Sequence, residues 1–210
     1  MDMQRFLVFE ESIYPAAEEF LEQLEQEARA EEVPIIRKDT QAYLRSMLLI
    51  LKPKRILEIG TAVGFSAILM AKHSEAEIIT MENYAPRIQK AKENIRAAGL
   101  NERITLLEGD AEELLQGIEG EFDLIFIDAA KGQYALYFER IKPHIHGGSV
   151  IISDNVLVGG DVLESRFAVR RRDRTIHKRM RDFLYDVCHD EEFESALLPV
   201  GDGLLVSVKK

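Results

Sequence analysis

Three oxygen-bearing side chains fall at the ends of two apolar runs. Asp128 closes FDLIFID (122–128), and Asp154 and Asn155 follow directly on GSVIIS (148–153). Apolar runs of this kind suit strands of a parallel sheet buried on both faces, and in such a sheet ligands bind at the carboxyl edge of neighbouring strands. Two carboxylates and an amide oxygen meeting there make a hard, incomplete ligand set, which suits Mg²⁺ with positions left for water and substrate. With no His or Cys in the pattern, zinc is not suited. The plainer reading of Asp128 and Asp154, as turn residues at strand ends, carries the same signature.

A second constellation lies upstream. LEIGTAVGFSAILMA places Gly60 and Gly64 in the turn between a strand and a helix, where missing side chains let a ligand approach the backbone. The turn is not GxGxxG, and its brevity suits a cofactor with no pyrophosphate at the helix N-terminus. Glu82 ends the next strand about twenty residues on, where a carboxylate binds both hydroxyls of a ribose. A third carboxylate, Asp110, follows the third strand. Glu82 as a surface carboxylate and Asp110 as a helix N-cap are the competing readings; LEGDAEEL suits a cap well.

These positions require alternating strands and helices. RILEI (55–59), EIITME (77–82), RITLLE (103–108) and the two runs above read as five parallel strands, separated by helices over 65–73, 85–98, 111–116 and 133–141. Two more helices precede the first strand; EESIYPAAEEFLEQLEQEARAEE reads as one amphipathic helix with a solvated acidic face. After the fifth strand come a loop, a helix from about Arg172 to Cys188, and the runs FESALLPV and LLVSV around Gly201-Asp202-Gly203, a hairpin signal. The expected fold is an α/β, Rossmann-like, mostly parallel sheet of seven strands with an antiparallel C-terminal hairpin and helices on both faces. One domain over 1–210 is expected, with N-terminal helices over 1–51 and a basic loop and helix over 156–190.

Composition agrees with that frame. At 46% hydrophobic and 30% charged, the 210 residues suit one soluble domain. The start has no signal-peptide pattern and no stretch reaches membrane-spanning length, so a cytoplasmic protein with no membrane partner is expected. The lone cysteine, Cys188, reads as a small buried apolar residue.

Glu58-Ile59-Gly60, Gly64, Ser66, Glu82, Gly109-Asp110, FIDAAK and SDN together resemble the cation-dependent O-methyltransferases related to catechol and caffeoyl-CoA O-methyltransferases, over about 33–155 and in the final hairpin. The resemblance implies a class I methyltransferase fold, S-adenosylmethionine and Mg²⁺. It further implies that Glu58, Gly60 and Ser66 contact the methionine part of the cofactor with Ile36 closing over it. Glu82 then takes the ribose, Asp110 with Ala111 takes the adenine edge, and Asp128 serves cofactor, ion and reaction together. Lys131 resembles the family's catalytic lysine, which accepts a proton or stabilises the developing oxyanion; a solvated loop lysine is the plainer reading. The metal answers a chemical need, because a neutral hydroxyl is a poor nucleophile until a cation makes it acidic and holds it in line with the methyl group.

The net charge of −10 hides an uneven distribution. Between Ser165 and Arg181 seven Arg and one Lys face one Asp, a local +7 against −17 elsewhere. Ile176, Met180, Phe183, Leu184 and Val187 fall at helical spacing and are expected to be buried, leaving Arg172, Arg174, Lys178, Arg179 and Arg181 available to solvent, with Arg166, Arg170 and Arg171 in the preceding loop. Arg166, Arg170, Arg171, Arg172, Arg174 and Lys178 beside the proposed site suit phosphate backbones. Within the family, the nearest resemblance is then to the branch that methylates 5-hydroxyuridine in the anticodon region of tRNA; its O5 and O4 offer a cation the same two-oxygen grip as a catechol. A small catechol or a coenzyme A ester is the other acceptor considered. The bland reading of the basic run is a solvated face, or pairing with the acidic N-terminal helix. A non-catalytic nucleotide-binding or RNA-binding protein on the same fold stands apart from both. A homodimer is expected, because the N-terminal helices carry more apolar surface than the sheet needs.

Overall fold

The structure, a computed structural model, describes residues 5, 8, 9 and 12–210. Its centre is a seven-stranded sheet in the order β3-β2-β1-β4-β5-β7-β6. The strands are β1 (Arg55–Ile59), β2 (Glu77–Glu82), β3 (Ile104–Glu108), β4 (Phe122–Ile127), β5 (Ile145–Ser153), β6 (Phe193–Leu198) and β7 (Leu204–Lys209). The first five are parallel, and β7 runs antiparallel to both β5 and β6. The seven-stranded arrangement read from the sequence is therefore present, with the last strand of the hairpin as its inner member.

The α-helices around the sheet include, among the described residues, α1 (Glu19–Ala30), α2 (Lys38–Leu51), α3 (Phe65–Lys72), α4 (Ala85–Ala97), α5 (Ala111–Leu114), α6 (Tyr134–Ile141) and α7 (Arg174–Cys188). Alternation along the strands divides the core in two. Ile56, Leu124, Phe126, Val150 and Ile152 face α1, α2 and α3, while Leu57, Ile59, Ile125, Ile127 and Ile151 face α6 and α7. Helix α3 is apolar on every side because it lies between the sheet and α1 and α2; Phe65 to Ala71 are all buried. Each such large aliphatic side chain contributes about 1.5–3 kcal/mol.

The chain winds outward from β1 to β3, then crosses back to β4 on the other side of β1. The crevice outside the ends of β1 and β4 is therefore the switch point at which ligands bind in open α/β sheets.

Four expectations are corrected. The acidic N-terminal stretch is not one helix: α1 begins at Glu19, and Pro15 to Glu18 are irregular, since Pro15 has no N–H to donate and biases Tyr14 away from helical backbone. Residues 10 and 11 of that stretch lie outside the described residues. Strand β5 starts at Ile145 rather than Gly148: Ile145 pairs with Phe122 and Val150 with Leu124, and the register shifts between them, where Ser149 Oγ accepts from His146 N at 3.0 Å. Helix α7 begins at Arg174 and buries His177, Met180, Phe183 and Val187, while Ile176 is exposed; His177 Nε2 contacts the Glu164 carbonyl oxygen at 3.1 Å, so an imidazole takes the inward position. Cys188 is exposed.

Candidate active site

A cavity of about 580 Å³ opens at the switch point. Ile59, Gly60, Ala62 and Ser66 form one wall, and Met81, Glu82, Asn83 and Arg87 a second. Gly109 and Ala111 lie on the β3 side, and Asp128, Lys131, Gln133, Tyr137 and Asn155 on the β4 and β5 side. Ile36, 5% exposed, covers it from the segment before α2, where its carbonyl accepts from Gln41 Nε2 at 3.0 Å.

The β1 turn is stitched to β2. Gly60 N and Thr61 N both donate to the Met81 carbonyl, at 3.1 and 3.0 Å. Glu82 organises the turn further: Oε2 accepts from Ala62 N at 2.9 Å, and Oε1 from Asn83 N and Tyr84 N at 3.0 Å each. A carboxylate has about four lone-pair positions, and three are taken here, so Glu82 keeps one, on Oε2, for a hydroxyl of a diol. Behind the turn, Thr80 Oγ1 donates to Glu58 Oε2 at 2.5 Å and thus receives its contact of 2.5 Å from Thr61 Oγ1 as an acceptor. Glu58 is fully buried, and its Oε1 has no hydrogen-bond partner. Burial pushes this carboxyl up to about 7, with the Ser66 and Thr80 hydroxyls pulling down and the charges of Asp128 and Glu82 adding to the rise. An unpartnered buried carboxylate oxygen calls for a cationic donor, as the ammonium of an amino-acid moiety would supply. The donor set thus fits the implied cofactor.

The glycines also answer to requirements that the sequence does not show. A Cβ on Gly60, at φ +106°, would lie 2.0 Å from the Asp128 carbonyl oxygen; the missing side chain lets two strand ends touch. At Gly64, φ +86°, a Cβ would meet Ala91 of α4 at 3.6 Å, an ordinary packing distance, so the positive φ is the requirement there. Asp110 caps α5, its Oδ1 accepting from Glu112 N at 2.8 Å, and its neighbours Gly109 and Ala111 form the wall.

On the other side, Asp128 N donates to Ile59 O at 3.0 Å and Asp154 N to Ile127 O at 2.8 Å, which continues the parallel ladders one residue past each strand and sets the two acids side by side. Asp154 is 1% exposed, behind the wall that Asp128 and Asn155 form. Its Oδ1 accepts from Asn155 N at 2.6 Å, and Asn155 stands at φ +54°, a left-handed conformation that Asn tolerates better than most residues. Burial first, and then the charge of Asp128, pushes Asp154 up to about 7, while Lys131 pulls it down. Burial also raises Asp128, against the charges of Lys131 and Arg87. Among the described residues no three His, Cys, Asp or Glu side chains gather as a metal cluster. The donors here are two carboxylates and an amide. Both acids are uncomfortable as anions without a counter-charge, so the set fits a hard divalent cation.

Sequence reasoning missed Asn83, Arg87, Gln133 and Tyr137. They stand on ordinary helix and turn positions with no motif, and only the fold turns them inward. The Tyr137 hydroxyl donates to Gln133 Oε1 at 2.6 Å, and burial pushes it up to about 12.

The basic segment reaches this site through α7. The loop after β5 leaves from Asn155, and Arg179 of α7 donates to the carbonyl of Gly132, between Lys131 and Gln133, at 3.3 Å. Arg166, Arg170, Arg171 and Arg172 are exposed, Arg172 beside Asp173 at 3.5 Å, whereas four residues of α7 expected to be free are engaged: Arg174 donates to the Val169 and Phe167 carbonyls, Lys178 pairs with Asp182, and Arg179 and Arg181 donate to the Gly132 and Val162 carbonyls. Among the described residues, the segment forms no ion pair with the acidic N-terminal helix. Glu27 of α1 and Glu31 just beyond it pair with Lys90, and Glu18 with Lys72.

A doubly wound sheet with a reversed last strand and a short glycine turn at its switch point is the architecture of the class I methyltransferases. More narrowly, the chain belongs to the O-methyltransferase family, whose model matches residues 10–210. It is similar to caffeoyl-CoA O-methyltransferase 1 of Eucalyptus globulus, 29% identical over 210 residues, 94% of this chain and 84% of that one. Among solved structures, the SAH-bound methyltransferase PaMTH1 of Podospora anserina superposes with a TM-score of 0.89 at 28% identity, covering 99% of this chain and 95% of that one. An O-methyltransferase of Bacillus cereus in complex with SAH gives 0.83 at 27%, covering 95% and 94%.

Proposed function

We propose that the chain transfers a methyl group from S-adenosylmethionine to a hydroxyl oxygen with the help of Mg²⁺, and that the acceptor is O5 of 5-hydroxyuridine at the tRNA wobble position, giving 5-methoxyuridine. One observation carries the reading: a single cavity has the Gly60 and Glu82 turn on one wall and Asp128, Lys131 and Asn155 on the other, so donor and acceptor sites adjoin at Asp128. The SAH in two similar structures supports the choice of donor.

The unpartnered Oε1 of Glu58, buried just behind the wall of Ile59, Gly60 and Ser66, would take the cofactor's ammonium, the remaining acceptor position of Glu82 a ribose hydroxyl, and Ile36 shuts water out from above. Asp128, Asp154 and Asn155 would hold the ion. Bound there, Mg²⁺ supplies a Lewis acid that makes a chelated hydroxyl acidic near neutral pH. The Lys131 ammonium, whose field already reaches both acids, steadies the negative charge that develops on the acceptor oxygen. Holding that oxygen in line with the methyl group supplies the rest of the rate.

The exposed arginines at 166, 170, 171 and 172 support a polyanionic acceptor. Incubation with labelled S-adenosylmethionine, Mg²⁺ and undermodified tRNA should place label in 5-methoxyuridine, and chelator should abolish it. Charge reversal at Arg171 and Arg172 should suppress tRNA methylation while sparing a small catechol. A phenolic acceptor is the second reading, favoured by the name of the Eucalyptus relative; strong methylation of catechols with none of the tRNA would establish it instead. The exposed Leu49 and Ile50 of α2, with Val8, Phe9 and Ile13, support a homodimer, which a monomer mass in light scattering would exclude.

A further inference from the structure

The loop between β5 and α7 presents an aromatic ring to solvent. Phe167 is 88% exposed and Leu163 69%, although the same loop turns Val162 and Val169 inward to 5% and 3%. Burying a phenylalanine stabilises a protein by a margin that small loops do not readily forgo. Nor is the loop loose. Arg174 Nε donates to the Val169 carbonyl at 3.1 Å and its Nη2 to the Phe167 carbonyl at 3.4 Å; Arg181 Nη1 donates to the Val162 carbonyl at 2.9 Å, and His177 Nε2 contacts the Glu164 carbonyl at 3.1 Å. Three basic side chains of α7 thus hold four loop carbonyls, so the ring is carried on a fixed frame.

We propose that Phe167 is a stacking platform for an unpaired RNA base that flanks the nucleotide entering the cavity. The inference rests on the tRNA reading above and adds to it a recognition element independent of charge. An aromatic ring among guanidinium groups matches the two faces of single-stranded RNA, π-systems and phosphates together. The other occupants fit less well. A second copy would bring another local +7 against this one. A membrane-seated helix needs an outward apolar face, and α7 has turned Met180, Phe183 and Val187 into the core. The placement suits a base next to the target, because the loop departs from Asn155 in the cavity wall and returns to α7, which touches Gly132 beside Lys131.

The sequence contains no tryptophan, so Phe167→Trp makes a single fluorescent reporter on the full chain. Titration with a synthetic RNA stem-loop carrying unpaired uridines should quench it, and Phe167→Ala should bind that RNA about 5- to 150-fold more weakly, as the loss of one stacked base predicts, while Phe167→Tyr stays near wild type. Activity on free 5-hydroxyuridine nucleoside should be the same in all of these variants. RNA binding that is salt-dependent and abolished by charge reversal at Arg171 and Arg172, yet unchanged in Phe167→Ala and without quenching, overturns the stacking proposal alone. No binding of RNA by the wild type overturns both it and the tRNA reading. A shift of the reporter on anionic phosphatidylglycerol vesicles, or on raising protein concentration, with none on RNA, replaces the base by a lipid surface or by a second copy.

Discussion

Replacing Asp154 by Asn keeps the acceptor for Asn155 N and removes one of two adjoining carboxylates. In the cation-free protein Asp154 is pushed from 3.8 to about 7. At about 1.36 kcal/mol per unit, ionising it there costs about 4 kcal/mol more than in the unfolded chain. Because the folded pKa lies above the unfolded one, the folded chain binds the extra proton between them. Stability therefore falls as pH rises from about 4 to about 7, and the loss is complete above that. Between about pH 5.5 and about pH 8 the wild type should lose about 2 kcal/mol through this group; Glu58, also pushed to about 7, adds a loss of the same sign that both proteins share. Urea unfolding in chelator at the two pH values should show the gap between Asp154→Asn and wild type widening by about 2 kcal/mol in favour of the variant. Mg²⁺ should restore the wild type and leave the variant unmoved. A gap that is equal at both pH values, or equal stabilisation of both proteins by Mg²⁺, would refute the reasoning.

Lys131→Met should lower kcat by about 10²- to 10⁴-fold while calorimetric binding of S-adenosylhomocysteine is unchanged; a parallel loss of that binding would move Lys131 into the cofactor site. Gly60→Ala places a Cβ 2.0 Å from the Asp128 carbonyl at φ +106° and should cost about 3 kcal/mol or more in chemical denaturation, whereas a near-neutral effect would contradict the contact.

The strands were legible because their apolar runs are long enough to fill both faces of a parallel sheet, and the acids at 82, 128 and 154 because strand ends are fixed by those runs. What escaped is what the third dimension supplies. Nothing in His146-Gly147-Gly148 announces a strand, since these residues are an irregularity carried between the paired positions Ile145 and Val150. Nothing in the helical spacing of α7 prefers His177 to Ile176, since the choice depends on a carbonyl at Glu164. Arg87 and Tyr137 face the cavity through the placement of α4 and α6, which no local pattern encodes.

The contact between Gly60 and the Asp128 carbonyl also bears on how such an enzyme changes its taste. With the two strand ends seated against each other, the walls proposed for the methyl donor and for the acceptor meet at one backbone contact that leaves no room for a side chain. Adaptation to new substrates is left to the segment after β5, which can lengthen, recharge or reshape without disturbing the distance across which the methyl group must travel.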